Sequence, residues 1–185
     1  MHAQRNHLIQ AGIAIVAITV GSLGRPAGAV TAPGVLARFE GQTIDLSQGW
    51  GQAHACTTTI IGTACYRTEA EMNQASAVAP STRATRSTRS SSPTTATGSC
   101  SSSLRLYDGT SFTGSVLALT TTGSLIQLSS YGFDNVTSSY KVGACNANLY
   151  SGLQSGLYPG ATGANSQSSV MLSGWDNTIS SVVIS

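Results

Sequence analysis

The clearest pattern in the chain is a series of short apolar runs, broken by glycine and asparagine, in residues 104–185. Runs of this length and spacing are typical of the strands of a small β-sandwich. In two of them the apolar side chains mark one face of a strand that would close a core. The predicted core residues are Val136, Tyr140 and Val142 in the first run, Ile179, Val182 and Ile184 in the second, and Phe133 and Trp175 just ahead of them.

A shorter set of β-type signals lies in residues 30–77. Residues 36–46 place apolar side chains on both sides of a glycine, which is the pattern of a β-hairpin. Cys56 and Cys65 bracket a β-branched run that Gly62 interrupts, and this arrangement predicts a second hairpin. The N-terminal block is therefore predicted to contain two hairpins.

A short helix is predicted directly after the second hairpin. Thr68 and Glu71 have the spacing of a capping box, which would open a helix that runs to about Ala77. The following stretch, residues 81–103, contains no large apolar side chain. Such a segment cannot bury enough surface to offset its chain entropy, so we predict that residues 78–103 form a linker.

The first 29 residues are predicted to be a secretory signal peptide. Arg5 precedes an apolar run over residues 8–20, and Ala27 and Ala29 have the small side chains of a cleavage site. The run is shorter than the about 20 apolar residues that a membrane-spanning helix needs. We therefore expect a protein that is secreted to the extracellular space. The predicted organisation is a signal peptide (1–29), a small N-terminal block (30–77), a linker (78–103) and a main β-domain (104–185).

Composition limits the classes of partner. Only 9% of the residues are charged, and the formal net charge is +2. A charge this small creates no field strong enough to attract nucleic acid or an anionic membrane surface. We therefore expect neither nucleic acid nor a membrane as a partner.

The four cysteines are expected to form two disulfides, because the protein is predicted to enter an oxidising compartment. Their spacing alone leaves three pairings open. We predict that Cys56 pairs with Cys65 and Cys100 with Cys145, because each pair then lies within one composition block. A zinc site is the rival interpretation, and no close pair of the C-x2-C type supports it.

The main β-domain contains one motif twice. The segment 103–109 (SLRLYDG) is similar to 146–152 (NANLYSG), and 132–142 (GFDNVTSSYKV) is similar to 174–184 (GWDNTISSVVI). Each copy has the signals of a starting strand, a tight hairpin, a long connection and a closing strand, which predict a Greek-key motif. The two predicted motifs, 104–142 and 143–185, would pack face to face around one core.

Both copies end in Asp-Asn-x-x-Ser-Ser, at residues 134–139 and 176–181, which we call hexamer one and hexamer two. Each hexamer concentrates carboxylate, amide and hydroxyl oxygens at a predicted turn, and calcium takes six to eight oxygen ligands. A single hexamer would equally fit an Asx-turn that leads into a Ser-rich strand. Two copies at matched places favour a pair of cation sites.

The distribution of acids supports the same interpretation. From residue 104 onward the only carboxylate side chains are Asp108, Asp134 and Asp176. Acids placed at turns are better suited to hold a cation than to move protons. His54, the one histidine beyond the predicted signal peptide, has no nucleophile or orienting acid placed beside it. We therefore expect no catalytic residues and no enzymatic activity.

These residues resemble the microbial βγ-crystallin superfamily, of the calcium-binding type, over residues 104–185. Tyr107-x4-Phe112-x-Gly114 is similar to the first-hairpin signature of that family, and the hexamers are similar to its calcium signature N/D-N/D-x-x-S/T-S. The nearest matching aromatic in the second copy is Tyr158, which indicates a longer second hairpin. The implied fold is an all-β, βγ-crystallin-like sandwich of two Greek-key motifs, preceded by a small disulfide-stapled segment of hairpin and short helix.

The resemblance also implies a set of calcium ligands, in which each hexamer contributes to both metal positions. The final serines, Ser139 and Ser181, would be structural. So few formal charges around each ion imply a modest affinity, with Kd about 10⁻⁵ to 10⁻³ M. The implied ligands are side-chain oxygens of Asp134 and Asp176, main-chain carbonyls of Val136, Thr178, Asp108 and Ser151, and the hydroxyls of Ser138 and Ser180, which would reach to the opposite site.

Two functions follow from the resemblance. The first is a secreted, non-enzymatic protein that binds calcium. The alternative is inhibition of a secreted metalloproteinase, because residues 38–56 are similar to an N-terminal block of secreted actinobacterial proteins that are grouped with a crystallin-fold inhibitor family. An inhibitor would need a rigid exposed loop to occupy the protease cleft, and the sequence alone identifies none.

Overall fold

A computed structural model describes residues 33–78 and 99–185; the predicted signal peptide and most of the predicted linker lie outside these residues. Within them the chain forms eleven strands and one α-helix, which confirms the all-β prediction. The elements are β1 (Leu36–Phe39), β2 (Gln42–Asp45), β3 (Ala55–Thr59), β4 (Gly62–Tyr66), α1 (Glu69–Val78), β5 (Ser99–Tyr107), β6 (Val116–Thr121), β7 (Leu125–Gln127), β8 (Ser139–Lys141), β9 (Ala147–Tyr150), β10 (Gln167–Ser168) and β11 (Ser181–Ile184).

The two predicted hairpins are present in the N-terminal block. Strands β1 and β2 are joined by Glu40 and Gly41, whose φ angles of 48° and 81° are those that a two-residue type I′ turn requires. Strands β3 and β4 pair so that Cys56 lies directly opposite Cys65, and these two residues form a disulfide. Both hairpin predictions are therefore confirmed.

Helix α1 begins where the capping box predicts, although one of the two bonds differs. The backbone N–H of Glu71 donates to Thr68 Oγ1 at 3.2 Å, as expected. The Glu71 carboxylate, however, accepts from the backbone N–H of Arg67 at 3.1 Å. The carboxylate therefore binds the chain at the residue before the cap and leaves the backbone N–H of Thr68 without this bond.

Side chains of strand β5 fix the position of helix α1. Glu69 Oε1 accepts hydrogen bonds from Arg105 Nη1 at 2.5 Å and from Tyr107 Oη at 2.8 Å. The buried side chain of Met72 packs in a small core with Tyr107 and Val116. Burial, followed by the hydrogen bond to Glu69, raises the pKa of Tyr107 to about 12.

The N-terminal block and the repeated motifs share one eight-stranded sheet, with the order β10-β8-β5-β6-β3-β4-β1-β2. Strand β3 pairs in parallel with β6, and Cys56 lies opposite Leu117. The main core contains Ala37 and Leu46 from the block together with Leu106 and Leu117 from the first motif. The block therefore folds onto the repeat and extends its sheet.

The two repeated motifs exchange their third strands. Strands β6, β5 and β8 of the first motif lie side by side in the eight-stranded sheet, and β8 pairs with β10 of the second motif. Strand β7 of the first motif pairs with β11 of the second, and β9 completes this three-stranded sheet. In the second motif an isolated bridge between Tyr150 and Leu157 stands in the place of a regular second strand. Each Greek key thus supplies one strand to the sheet of the other.

Strand β5 begins at Ser99, inside the last residues of the segment predicted as linker. Pairing of Ser99 with Thr121 and a disulfide between Cys100 and Cys145 hold this end of the strand. The predicted pairing of all four cysteines is confirmed. The helices in residues 33–78 and 99–185 are all too short or too polar to span a bilayer.

Most of the predicted core residues of the closing strands are buried, including Phe133 at 2% exposure. Two differ from the prediction. Val136 is half-buried and precedes β8, because the hexamer turns the chain before the strand begins. Trp175 is also half-buried, and its ring packs against the buried ring of Tyr158 at a centroid distance of 5.3 Å.

Candidate metal centre

The two hexamers lie side by side and are joined by a reciprocal pair of backbone hydrogen bonds. Asn135 N donates to Ile179 O at 2.9 Å, and Asn177 N donates to Thr137 O at 3.0 Å. Both asparagines have φ of 55°, a left-handed conformation that asparagine tolerates better than most residues. The Asn at the second position of each hexamer therefore makes the turn that brings the two segments together.

The fifth residue of each hexamer reaches across to the other hexamer. Ser138 Oγ donates to Asp176 Oδ1 at 2.6 Å and lies 3.3 Å from Asn177 Oδ1. Ser180 Oγ donates to Asn135 Oδ1 at 3.1 Å. Each predicted hydroxyl ligand thus lies beside side-chain oxygens of the opposite hexamer.

The last serine of each hexamer has a different set of contacts. Ser139 Oγ donates to the carbonyl of Gly109 at 2.6 Å, and Ser181 Oγ donates to the carbonyl of Gly152 at 2.5 Å. Both side chains are fully buried. These serines tie each closing strand to the hairpin of its own motif, which is the structural role that the resemblance implies.

The four main-chain carbonyls predicted as ligands have no partner among the described residues. No hydrogen bond in this part of the chain goes to the carbonyl of Asp108, Val136, Ser151 or Thr178. Asp108 and Ser151 each follow a tyrosine whose carbonyl accepts a bond of 2.8 Å from the fifth residue of the hexamer in the same motif. The predicted carbonyls therefore adjoin the hexamers and retain free lone pairs.

The prediction of a longer second hairpin is wrong. In the first hairpin, Asp108 Oδ1 accepts from the backbone N–H of Ser115, seven residues away. In the second, Ser151 N donates to the carbonyl of Gly156, five residues away. The shorter turn closes because Gln154 and Gly156 adopt positive φ. Tyr158 lies beyond the turn and packs in the core.

The charges at this end of the molecule suit a cation. Asp134, Asp176 and Asp108 are all exposed. The salt bridges among the described residues involve Glu40 and Glu69, so none of these three aspartates pairs with a cationic side chain there. The same residues contain no group of three His, Cys, Asp or Glu side chains that could hold a metal by themselves. Carboxylate, amide, hydroxyl and carbonyl oxygens together are the ligand set that calcium prefers, so the residues present fit this ion.

A surface cavity of about 530 Å³ opens beside hexamer one. Asp108 lines it together with Asn135, Val136 and Asn177, so residues of the first hairpin and of both hexamers face one space. Gly49 and Trp50 of the N-terminal block form another part of its wall. A segment outside the repeat therefore adjoins the candidate site.

Two groups of residues at the site were not identified from the sequence. The amide oxygens of Asn135 and Asn177 lie at the contacts between the hexamers, where only the aspartates were predicted as side-chain ligands. Their position directly after each aspartate was the available signal. The proximity of Trp50 had no signal in the sequence, because it depends on how the block folds onto the repeat.

Solved βγ-crystallin domains are similar to this chain. One, concerned with the evolution of the eye-lens βγ-crystallin domain fold, shares 20% identity over 49% of this chain and 92% of its own, with a TM-score of 0.39. A βγ-crystallin from Ciona intestinalis shares 22% sequence identity over 45% of this chain and 99% of its own, with a TM-score of 0.37. Hahellin, another βγ-crystallin, shares 23% identity over 45% of this chain and 91% of its own, with a TM-score of 0.34.

No family model and no curated protein matches the chain. The fold class consequently rests on the strands and sheets themselves. They form an all-β fold in which two Greek-key motifs, each with one strand in the sheet of the other, share a core.

Proposed function

We propose that the chain is a secreted, non-enzymatic protein that binds calcium between its paired hexamers. The observation that carries the proposal is the crossed arrangement of the hexamers, in which Ser138 contacts Asp176 and Ser180 contacts Asn135. Oxygens from two distant segments converge there without a cationic partner among the described residues. Two disulfides support an oxidising extracellular location.

The proposed ligands keep the roles given above. On calcium binding the Ser138 hydroxyl would turn its lone pairs to the ion, since its present acceptor, Asp176 Oδ1, is itself a proposed ligand. The free carbonyls of Asp108 and Val136 would bind at one position, and those of Ser151 and Thr178 at the other. Calcium would thus bridge hairpin and hexamer in each motif.

Calorimetry with calcium and melting scans in calcium or chelator test this proposal on the full secreted chain. A ligand that binds only the folded state adds about 2.7 kcal/mol of stability at a hundred times its Kd. Asp134→Ala combined with Asp176→Ala should remove both the heat of binding and the shift in melting temperature. Glu40→Gln, which changes an exposed acid in the β1–β2 turn, is the matched control and should bind as the unaltered chain does. An unaltered chain that shows neither heat nor shift would refute the proposal.

One observation favours the alternative, inhibition of a secreted metalloproteinase. The β3–β4 hairpin ends in Ile60 and Ile61, which are 71% and 93% exposed. The Cys56–Cys65 disulfide joins the two strands beneath this tip. A braced hairpin with an apolar tip has the rigidity and exposure that a loop inserted into a protease cleft would need.

Titration of secreted zinc metalloproteinases with the protein distinguishes the two functions. Ile61→Asp should abolish stoichiometric inhibition, whereas Leu153→Asp, at a residue that is 61% exposed in another hairpin, should not. Absence of inhibition by the unaltered chain across several such proteases would exclude this alternative and leave the calcium proposal unaffected.

A further inference from the structure

We infer that the N-terminal segment, residues 33–54, holds hexamer one in its ligand-binding conformation and so makes the two calcium sites unequal; this inference rests on the proposed function. The segment contacts the turn Leu128–Tyr131, which leads directly into hexamer one. Trp50 Nε1 donates to Tyr131 O at 2.6 Å. Val35 N donates to Ser130 O at 2.8 Å. Two consecutive carbonyls before the hexamer are therefore fixed from outside the repeat.

Packing reinforces these two hydrogen bonds. The rings of Trp50 and Phe133 lie 5.4 Å apart between centroids, and Phe133 is the residue immediately before Asp134. Gly132 has a φ of 63° and approaches the carbonyl of Leu46 so closely that a Cβ there would collide with it. The N-terminal segment therefore packs so closely against Gly132 that this position has no space for a side chain.

Hexamer two lacks this support. Its equivalent glycine, Gly174, has a φ of 80°, yet a Cβ there would meet nothing within 4 Å. The aromatic before hexamer two, Trp175, packs against Tyr158 of its own motif. Leu172 N donates to Tyr158 Oη at 3.2 Å, so this contact too stays within the repeat. The two hexamers are therefore similar to each other, but only hexamer one is supported by contacts from the N-terminal segment.

The asymmetry has a direct consequence for affinity. Residues that are ordered before the ion arrives do not have to be ordered by binding, so a preorganised site binds more tightly. Groups that orient metal ligands without touching the metal typically change metal affinity by about 10- to 100-fold. Trp50 is such a positioning residue, and the cavity that it shares with Asp108 and Asn135 places it beside the site. We expect the position next to Trp50 to be the tighter of the two.

A pair of glycine substitutions separates positioning from general strain. Gly132→Ala and Gly174→Ala both place a side chain on a left-handed residue, but only the first also collides with the N-terminal segment. In calcium calorimetry on the full chain, Gly132→Ala should weaken the tighter binding step by about tenfold. Gly174→Ala should leave that step within about twofold. Equal effects of the two variants on the tighter step, or none, would overturn the inference.

Trp50→Phe provides a second variant if Gly132→Ala fails to fold. It keeps an aromatic ring against Phe133 and removes the indole donor to Tyr131. The tighter step should weaken while the other step changes little. An unchanged tighter step, or an equal loss at both steps, would count against a positioning role.

The two tryptophans of the chain provide a further measurement, because Trp50 lines the cavity beside hexamer one and Trp175 directly precedes Asp176 of hexamer two. Terbium(III) binds oxygen ligands as calcium does, and its emission is sensitised by a nearby indole. In Trp175→Phe, where Trp50 is the remaining indole, sensitised emission should saturate at lower terbium than in Trp50→Phe. The reverse order would refute the inference and leave calcium binding intact. Absence of any calcium heat in the unaltered chain would refute the proposed function itself, and the inference with it.

Discussion

Ser138 Oγ donates a 2.6 Å hydrogen bond to Asp176 Oδ1 across 38 residues of sequence. This bond, and its counterpart from Ser180 to Asn135, joins two segments that the chain reaches at the ends of different motifs. A hydroxyl held against a carboxylate in this way can serve as a metal ligand or as a simple crosslink. Substitutions within the hexamer distinguish these roles.

Ser138→Ala is expected to weaken calcium binding by about tenfold, because it removes one oxygen from the proposed ligand set and frees the carboxylate that it orients. Calorimetry with calcium measures the change. Ser180→Ala also removes one proposed ligand oxygen, but its hydroxyl contacts the neutral amide of Asn135 and orients no carboxylate, so its effect should be smaller. Identical affinity of Ser138→Ala and the unaltered chain would remove this serine from the site.

Ser139→Ala should lower stability and leave calcium affinity nearly unchanged. Ser139 is fully buried and its hydroxyl donates to Gly109 O, so its removal leaves this half-buried carbonyl without its donor. The expected loss is about 1 to 3 kcal/mol in the free energy of unfolding. Urea denaturation in chelator and in excess calcium should give the same loss. A loss seen only in calcium would instead assign this serine to the metal.

Thr137→Val should stabilise the protein. Thr137 is fully buried, and its Oγ1 is the one buried side-chain oxygen without a hydrogen bond among the described residues. The equivalent residue of hexamer two is Ile179, which is equally buried and apolar. Removal of the unpaired hydroxyl should raise the free energy of unfolding by about 1 kcal/mol.

Thr58→Val is the matched control for this substitution. The Thr58 hydroxyl is buried as well, but it accepts a hydrogen bond from Thr63 Oγ1 at 3.2 Å. Its removal should be neutral or destabilising. If both variants shift the urea midpoint in the same direction, the effect of Thr137→Val does not come from the unpaired oxygen.

Stability should fall in alkaline solution as Tyr107 ionises. Its pKa of about 12 in the folded state exceeds the value of about 10 in an unfolded chain, so the folded protein holds the proton more tightly. The resulting stabilisation is complete below pH about 10 and is lost as the pH rises through about 12. Urea midpoints measured over this pH interval report the loss of stability. Between these pH values Tyr107→Phe should lose less stability than the unaltered chain.

Glu69→Gln tests how much of the raised pKa of Tyr107 is caused by the Glu69 carboxylate. The carboxylate that accepts from Tyr107 Oη disfavours the phenolate by its negative charge, whereas burial would persist in the variant. The pKa of Tyr107 should therefore fall toward its ordinary value without reaching it. A spectroscopic titration of the tyrosines that shows no change in Glu69→Gln would assign the whole shift to burial.

The local elements could be predicted because their signals are local. The β1–β2 turn needs two residues with positive φ, Glu40 and Gly41, and glycine adopts this conformation readily. The helix start at Thr68 follows from side-chain bonds within four residues. The second hairpin was mispredicted because Tyr158 matched an expected aromatic, although the turn closes earlier, at Gly156.

The repeat, the hexamers and the residue types able to hold a cation could be recognised from the sequence, because these depend on identity and spacing along the chain. The parallel pairing of β3 with β6 became visible only in the folded protein, since such a pairing carries no signal in either strand. The tertiary structure also places Asn135 and Asn177 at the crossing of the hexamers. The contact of Trp50 with Tyr131 spans 81 residues, and only the folding of the N-terminal block onto the repeat creates it.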